Sequence, residues 1–143
     1  MDNESKVKTH WSFWVVCVLG IAWNTGGTAN YLMQKNMEFV NSLPATHQAI
    51  IIGRPIWATG GFAIGVFGGF LGSVYLLLKR RSAFNTLLIS LIGIIVTMAH
   101  TINVAMSGTE FSISEFTVMV ISPLVVALAL LLYAKYAIAR YAR

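Results

Sequence analysis

The 143-residue sequence is 57% hydrophobic and 10% charged, with a mean hydropathy of +0.72. That composition excludes an ordinary soluble domain, and the length accommodates four membrane spans of about 20 residues with short loops. The formal net charge of +5 is explained by basic residues at the ends of the spans and by anionic lipid headgroups. Once the spans are assigned, no basic and aromatic surface remains, so we expect no nucleic-acid partner.

Four apolar segments are each long enough to cross a bilayer as a helix. They cover residues 11–33, 56–78, 84–106 and 113–133. The predicted fold class is therefore all-α: a polytopic membrane protein with four transmembrane helices in one compact bundle, forming a single domain over residues 1–143. The first segment has full span length, which predicts a retained helix and not a cleaved signal peptide.

Basic residues flank alternate ends of these spans. They are Lys6 and Lys8, the run Lys79-Arg80-Arg81, and Lys135, Arg140 and Arg143. By the positive-inside rule both termini are expected in the cytoplasm, and the loops at 34–55 and 107–114 face outward. The loop at 34–55 is apolar enough to be partly helical and to lie on the membrane surface or cover the bundle, with Pro44 interrupting it.

Ser112 precedes the fourth span, and Glu115 follows three positions later. This spacing is typical of a capping box, in which the two side chains satisfy backbone N–H groups at the start of a helix. The sequence therefore predicts that the fourth helix starts here, at the outer surface.

Small residues recur along the second span in a regular pattern. They are Gly61, Gly65 and Gly69 at intervals of four, with Gly68 and Gly72 on the adjacent strip. Helices in lipid associate through close van der Waals contact, which such a strip permits. Two interpretations stay open: helix packing within the chain, and an interface between copies in a homo-oligomer.

The polar and aromatic side chains of the spans concentrate toward the outer face. The candidate ligand contacts are Trp23, Asn24, Asn30, Tyr31, Arg54, Trp57, Thr97, His100 and Asn103. Thr97, His100 and Asn103 are spaced by three and are expected to share one helix face. Because unpaired polar groups are costly in hydrocarbon, the set predicts an outward-facing polar and aromatic vestibule that is closed on the cytoplasmic side.

Several roles are open for these residues. His100 could be a neutral imidazole bonded to Thr97 or Asn103, a ligand or proton contact, or a metal or haem ligand. Arg54 could be an interfacial anchor or could hold an anionic ligand group. The asparagines could bond helix to helix. The aromatic residues could form a wall for stacking a ligand, or could belong to the interfacial belt and the packing.

No catalytic pattern is present. The spans hold no pair of carboxylates, and the sequence has no nucleophile elbow and no phosphate-binding glycine loop. Cys17 is the single cysteine, which excludes disulfides, redox pairs and thiolate metal sites within one chain. We therefore expect no enzyme activity, no cofactor and no metal.

Several short motifs resemble those of one family. They are Trp23-Asn24, Gly27 and Asn30-Tyr31, Pro55-Ile56-Trp57-Ala58, Gly68-Gly69, Gly72-Ser73, and the run from Leu76 to Arg81. Together they resemble a group of small four-span bacterial inner-membrane proteins that are often labelled "sugar transporter". The resemblance implies a bacterial inner-membrane location and the possibility of transport.

Two function classes remain open. One is a small-molecule binder or transporter that works as an oligomer, since four helices alone rarely enclose an alternating-access path. The other is a non-transporting accessory or structural subunit of a larger membrane complex, in which the polar cluster fixes helix register.

Overall fold

The computed structural model describes residues 7–142. The secondary structure of these residues consists of helices, with no strand. The helices are α1 (Trp11–Met33), α2 (Met37–Ser42), α3 (Ala45–Ile51), α4 (Ile56–Leu77), α5 (Ser82–Met106) and α6 (Ile113–Tyr141). The predicted helical content of the loop at 34–55 is confirmed by α2 and α3. The last helix extends to Tyr141, eight residues beyond the predicted end of the fourth span at residue 133.

In the part of the chain that the structure describes, three helices are long and apolar enough to cross a membrane, namely α4, α5 and α6. Helix α1 has 23 residues, about 35 Å at 1.5 Å per residue, and so has sufficient length. Its second half carries Asn24 and Asn30, which lower its hydropathy below that of the other long helices. The described part of the chain is thus all-helical, with three helices that are long and apolar enough to cross a membrane.

The predicted capping box at the start of α6 is confirmed. The Glu115 backbone N–H donates to Ser112 Oγ at 3.1 Å, and the Ser112 N–H donates to Glu115 Oε2 at 2.9 Å. These two bonds satisfy N–H groups that a helix start otherwise leaves without partners.

Helix α4 lies between α1 and α5, and its glycines allow both contacts. A Cβ added at Gly61 would come within 2.9 Å of Val96 on α5, and one added at Gly72 within 2.7 Å of Leu87. At the closest point, a Cβ at Gly93 of α5 would lie 2.7 Å from both the Gly61 oxygen and the Gly65 nitrogen. The two backbones therefore touch where both helices lack side chains.

The rest of the glycine strip also meets atoms of its own chain. A Cβ at Gly65 would lie 2.6 Å from Ile94, and one at Gly68 would lie 3.2 Å from Ser90. A Cβ at Gly69 would collide with Asn24 Oδ1 of α1. Packing within the chain therefore accounts for the whole strip, and no glycine of the set is left facing outward for a second copy.

The four long helices converge at the end where α1 begins and α6 ends. A buried apolar cluster joins them there: Phe13, Cys17, Leu76, Ala83, Leu87, Leu130, Leu131, Ala134, Ala137 and Tyr141. The Phe13 and Tyr141 rings meet edge to face, with centroids 5.4 Å apart. This end of the bundle is consequently closed by close-packed side chains.

At the opposite end α1 and α6 diverge. The first half of α6 packs on α5 through Val120, which contacts Ile94 and Met98. The second half of α1 packs instead on α4, where the Tyr31 ring meets Phe62 edge to face at 5.5 Å. A gap is left between α1 and α6, and α3 lies across its end.

Candidate ligand-binding cavity

The gap between α1 and α6 is a cavity of about 520 Å³. This volume lies within the range of roughly 300–1,000 Å³ that is usual for small-molecule sites. All four long helices and α3 line it. Its polar lining residues are Trp23, Asn24, Asn30, Gln34, His47, Arg54, Thr97 and Thr101.

Asn24 forms the floor of the cavity. Its side chain is buried, and its Nδ2 donates to the carbonyl oxygen of Gly20 on its own helix at 2.8 Å. The amide therefore does not make the predicted bond between helices through Nδ2. Its Oδ1 lies against Gly69 of α4. Any side chain at position 69 would displace the Asn24 amide, because its Cβ atom would collide with Oδ1.

The back wall belongs to α5. Thr97 Oγ1 donates to the carbonyl oxygen of Ala58 on α4 at 2.8 Å, and Thr101 Oγ1 donates to the Thr97 carbonyl at 3.2 Å. Both hydroxyl protons are thus committed to backbone carbonyls, and these oxygens can only accept further hydrogen bonds.

Helix α3 closes the end of the cavity and is held by two side chains from other helices. His100 Nε2 lies 3.0 Å from the carbonyl oxygen of Ile50 and donates to it. Thr46 Oγ1 donates to Glu115 Oε1 of α6 at 2.7 Å. Of the roles left open for His100, a hydrogen bond to Thr97 or Asn103 is not the one observed, because Nε2 binds the α3 carbonyl of Ile50 instead.

Arg54 lies beside α3 at the same end and is half-buried. Its Nε donates to Thr59 Oγ1 at 3.2 Å, and its guanidinium lies over the Phe62 ring, 5.2 Å from the centroid. Burial lowers the pKa of Arg54, while the nearby Tyr31 raises it. Within residues 7–142 no carboxylate lines the cavity and no other hydrogen bond is made by this side chain.

Four predicted contacts lie outside the cavity lining. Tyr31 is packed between Phe62 and Phe67, while Trp57 meets the His100 ring edge to face at 6.1 Å. Of these three aromatic residues, only Trp23 lines the cavity, so the packing interpretation is the one that fits Tyr31 and Trp57. His100 is buried beneath α3.

Asn103 is the fourth, and it is exposed although Thr97 and His100 are buried. Residues three apart differ by about 60° around a helix, so Asn103 is turned about 120° from Thr97. The expectation that all three share one face is therefore wrong.

The lining also includes side chains outside the set of candidate ligand contacts, among them Gln34, His47, Thr101 and Met119. Gln34 and His47 reach the cavity only because the segment after α1 folds back over the bundle. The apolar character of that segment was the available signal for such a cover.

A π-helical turn over Thr117–Ile121 shapes the α6 wall. The Ser122 N–H bonds to the Thr117 carbonyl, and Ser122 Oγ donates to the same oxygen at 3.1 Å. Pro123 follows and has no N–H to continue an α-helical ladder. Val118, Met119 and Pro123 of this region line the cavity.

The described residues contain no group of three or more His, Cys, Asp or Glu side chains that could hold a metal ion. Comparison of the chain with protein-family models, with curated proteins and with solved structures gives no match. The function proposed below is therefore based on the geometry of the cavity.

Proposed function

We propose that this chain is a small integral membrane protein that binds a small solute in the cavity between α1 and α6. The observation that carries the proposal is the cavity itself, about 520 Å³ in volume and lined from all four long helices. A bundle selected only for tight packing would be expected to fill such a space with side chains. Here the lining keeps a charged group and several amides instead.

The proposal includes a four-span topology with α1 as the additional span. Helix α1 runs beside α4 over most of its length, and its residues Phe13 and Cys17 pack in the buried apolar cluster. Its polar residue Asn24 faces the cavity and its exposed face includes Trp14, Val18 and Leu19. An apolar outer face and a polar inner face suit a span that borders an internal site.

The proposed setting is the bacterial inner membrane, with both termini in the cytoplasm and the cavity toward the outside. The support is the position of Lys79, Arg80 and Arg81 at the end of the bundle where α1 begins and α6 ends. The motif resemblance supports the same membrane.

Binding is the part of the function that the geometry supports best. Transport would require the apolar cluster around Phe13 and Tyr141 to open, or several chains to assemble. A homo-oligomer remains part of the proposal, although its interface would have to use the lipid-facing surfaces, since the α4 glycines are occupied within the chain.

Native mass spectrometry of the protein extracted with its own lipids tests the proposal, because it records bound mass and subunit number together. Two glycines provide a matched pair: a Cβ at Gly26 or Gly60 would meet nothing within 4 Å, but only Gly26 lines the cavity. We expect Gly26→Phe to lose a bound small molecule that wild type and Gly60→Phe retain.

The same bound mass on both variants, or none on wild type, would overturn the proposal. A stoichiometric complex with a second protein and no small ligand would favour the accessory-subunit alternative.

A further inference from the structure

We infer that the ligand of this cavity is an anionic amphiphile, an apolar chain ending in a carboxylate or phosphate group, which enters between α1 and α6 from the lipid. The inference rests on the proposed function and names the chemical class of its ligand. It depends on three features: the charge of Arg54, the apolar walls and the open side of the cavity.

Arg54 supplies an anion site. It is the one permanently charged side chain among the described residues that line the cavity, and no carboxylate lies there with it. Its Nε is held by Thr59 and its plane lies over Phe62, which leaves the other guanidinium N–H groups for a ligand. A half-buried cation without an anionic partner is unfavourable. A carboxylate or phosphate matches the paired N–H donors of the guanidinium group.

The walls next to Arg54 favour an apolar body. They include Val66, Ile94, Met98, Val118 and Met119. The threonine hydroxyls on the same wall already donate to backbone carbonyls. Against these apolar side chains a sugar hydroxyl would be left without a partner, at a cost for each. An alkyl chain has no such requirement.

The open side of the cavity faces the surroundings of the bundle and not its end. Helix α3 covers the end, where His100 and Glu115 bind it. The rims of the gap are exposed Trp23 and Gly26 on α1 and Val118 on α6, whose side chain is 65% exposed. In a bilayer these rims would contact acyl chains, so a molecule already dissolved in the lipid has the direct path.

The inference is tested by photolabelling the full-length protein in nanodiscs of neutral lipid with a 16-carbon carboxylic acid that carries a diazirine in its chain. Labelled residues are mapped by mass spectrometry. Competition uses palmitate, hexadecyl phosphate, hexadecanol and hexanoate. The variants are Arg54→Gln and Arg54→Lys, with Arg80→Gln as the control because Arg80 is an exposed cation that lies outside the cavity.

We expect saturable labelling of α1 and α6 residues at the cavity, at least tenfold weaker apparent affinity in Arg54→Gln, and near-normal affinity in Arg54→Lys and Arg80→Gln. Palmitate and hexadecyl phosphate should compete, and the relative potency of the two identifies the preferred head group. Hexadecanol should compete poorly because it lacks the charge.

Equal competition by hexadecanol, or labelling unchanged in a folded Arg54→Gln variant, would overturn the anionic head group. Should Arg54→Gln fail to fold, the ratio of palmitate to hexadecanol potency in wild type decides the same point. Equal potency of hexanoate would overturn the apolar chain while leaving solute binding intact. Absence of cavity labelling together with a retained native ligand would overturn this inference alone, whereas absence of both would overturn the proposed function too.

Discussion

His100 of α5 donates a hydrogen bond from Nε2 to the backbone carbonyl of Ile50, at 3.0 Å and fifty positions earlier in the chain. The imidazole is thereby a support for α3, which is a short helix whose buried residues are Thr46 and Ile50. Because the Ile50 oxygen can only accept, the proton must be on Nε2. The single ionisable group deep in α5 thus has its role in holding the cover of the cavity.

Replacing His100 by alanine should loosen α3. The Ile50 carbonyl would be left buried without a donor, at a cost of about 1–3 kcal/mol. We expect faster amide hydrogen exchange in residues 45–51, measured by mass spectrometry, with little change in α4. Asn103→Ala is the matched control, since Asn103 lies on the same helix but is exposed. Equal exchange of α3 in both variants would contradict the supporting role.

Thr46 and Glu115 should make the second attachment of α3. Thr46→Val removes the 2.7 Å bond to Oε1 but leaves the capping box of α6 intact. Glu115→Ala removes that bond and also the bond from the Ser112 N–H to Oε2, while the backbone N–H of residue 115 keeps its bond to Ser112 Oγ. We therefore expect Glu115→Ala to be the more destabilising of the two. Unfolding in SDS, followed by circular dichroism, measures the difference.

The double variant of Thr46→Val and Glu115→Ala completes the cycle. A coupling free energy near zero would show that the Thr46–Glu115 bond contributes nothing to stability.

Local patterns in the sequence predicted some features, and contacts between distant segments determined the others. The capping box at Ser112 and Glu115 involves neighbouring residues, so its spacing was sufficient. Trp23, Asn24, Asn30 and Thr97 line the cavity, as the polar and aromatic residues of the outer span halves were expected to do, and Arg54 of the outer loop joins them. The partner of His100 could not be found in this way, because nothing in the sequence around His100 specifies which carbonyl will fold over it.

The displacement of Asn103 has a different cause. Its spacing from Thr97 was known, and the 120° rotation follows from helix geometry alone. A spacing of three holds two residues on one face, but it carries the third onto the next face. A spacing of three therefore places a pair such as Thr97 and His100 on one helix face, but it does not place three successive residues there.

Glycine substitutions should separate close packing from helix propensity. In Gly93→Ala the new methyl group would meet backbone atoms of Gly61 and Gly65 at 2.7 Å, and backbone cannot move aside cheaply. We expect a loss of about 1–3 kcal/mol in the free energy of unfolding, as for other overpacked sites. Gly60→Ala, where nothing lies within 4 Å, should be neutral or slightly stabilising. Unfolding of both variants in SDS gives the comparison.

A stable Gly93→Ala variant would mean that α4 and α5 separate more easily than their contact suggests. The result also bears on assembly. Since the strip packs within the chain, we expect Gly65→Leu or Gly69→Leu to unfold the bundle, so neither variant can test whether a second copy is released. Substitutions at exposed residues such as Phe67 and Phe70 are better suited to test an interface between copies.

The proposed four-span topology predicts that Lys8 and Asn41 lie on opposite sides of the membrane. Cys17 is buried in the core, so a cysteine introduced at an exposed site should be the reactive thiol. We expect Asn41→Cys and Glu110→Cys to react with a membrane-impermeant maleimide in intact spheroplasts, and Lys8→Cys and Ser82→Cys to react only after permeabilisation. The wild-type protein measures background labelling of Cys17. If α1 lies on one surface instead of crossing, Lys8→Cys and Asn41→Cys will react alike, while Ser82→Cys and Glu110→Cys will still differ because α5 separates them.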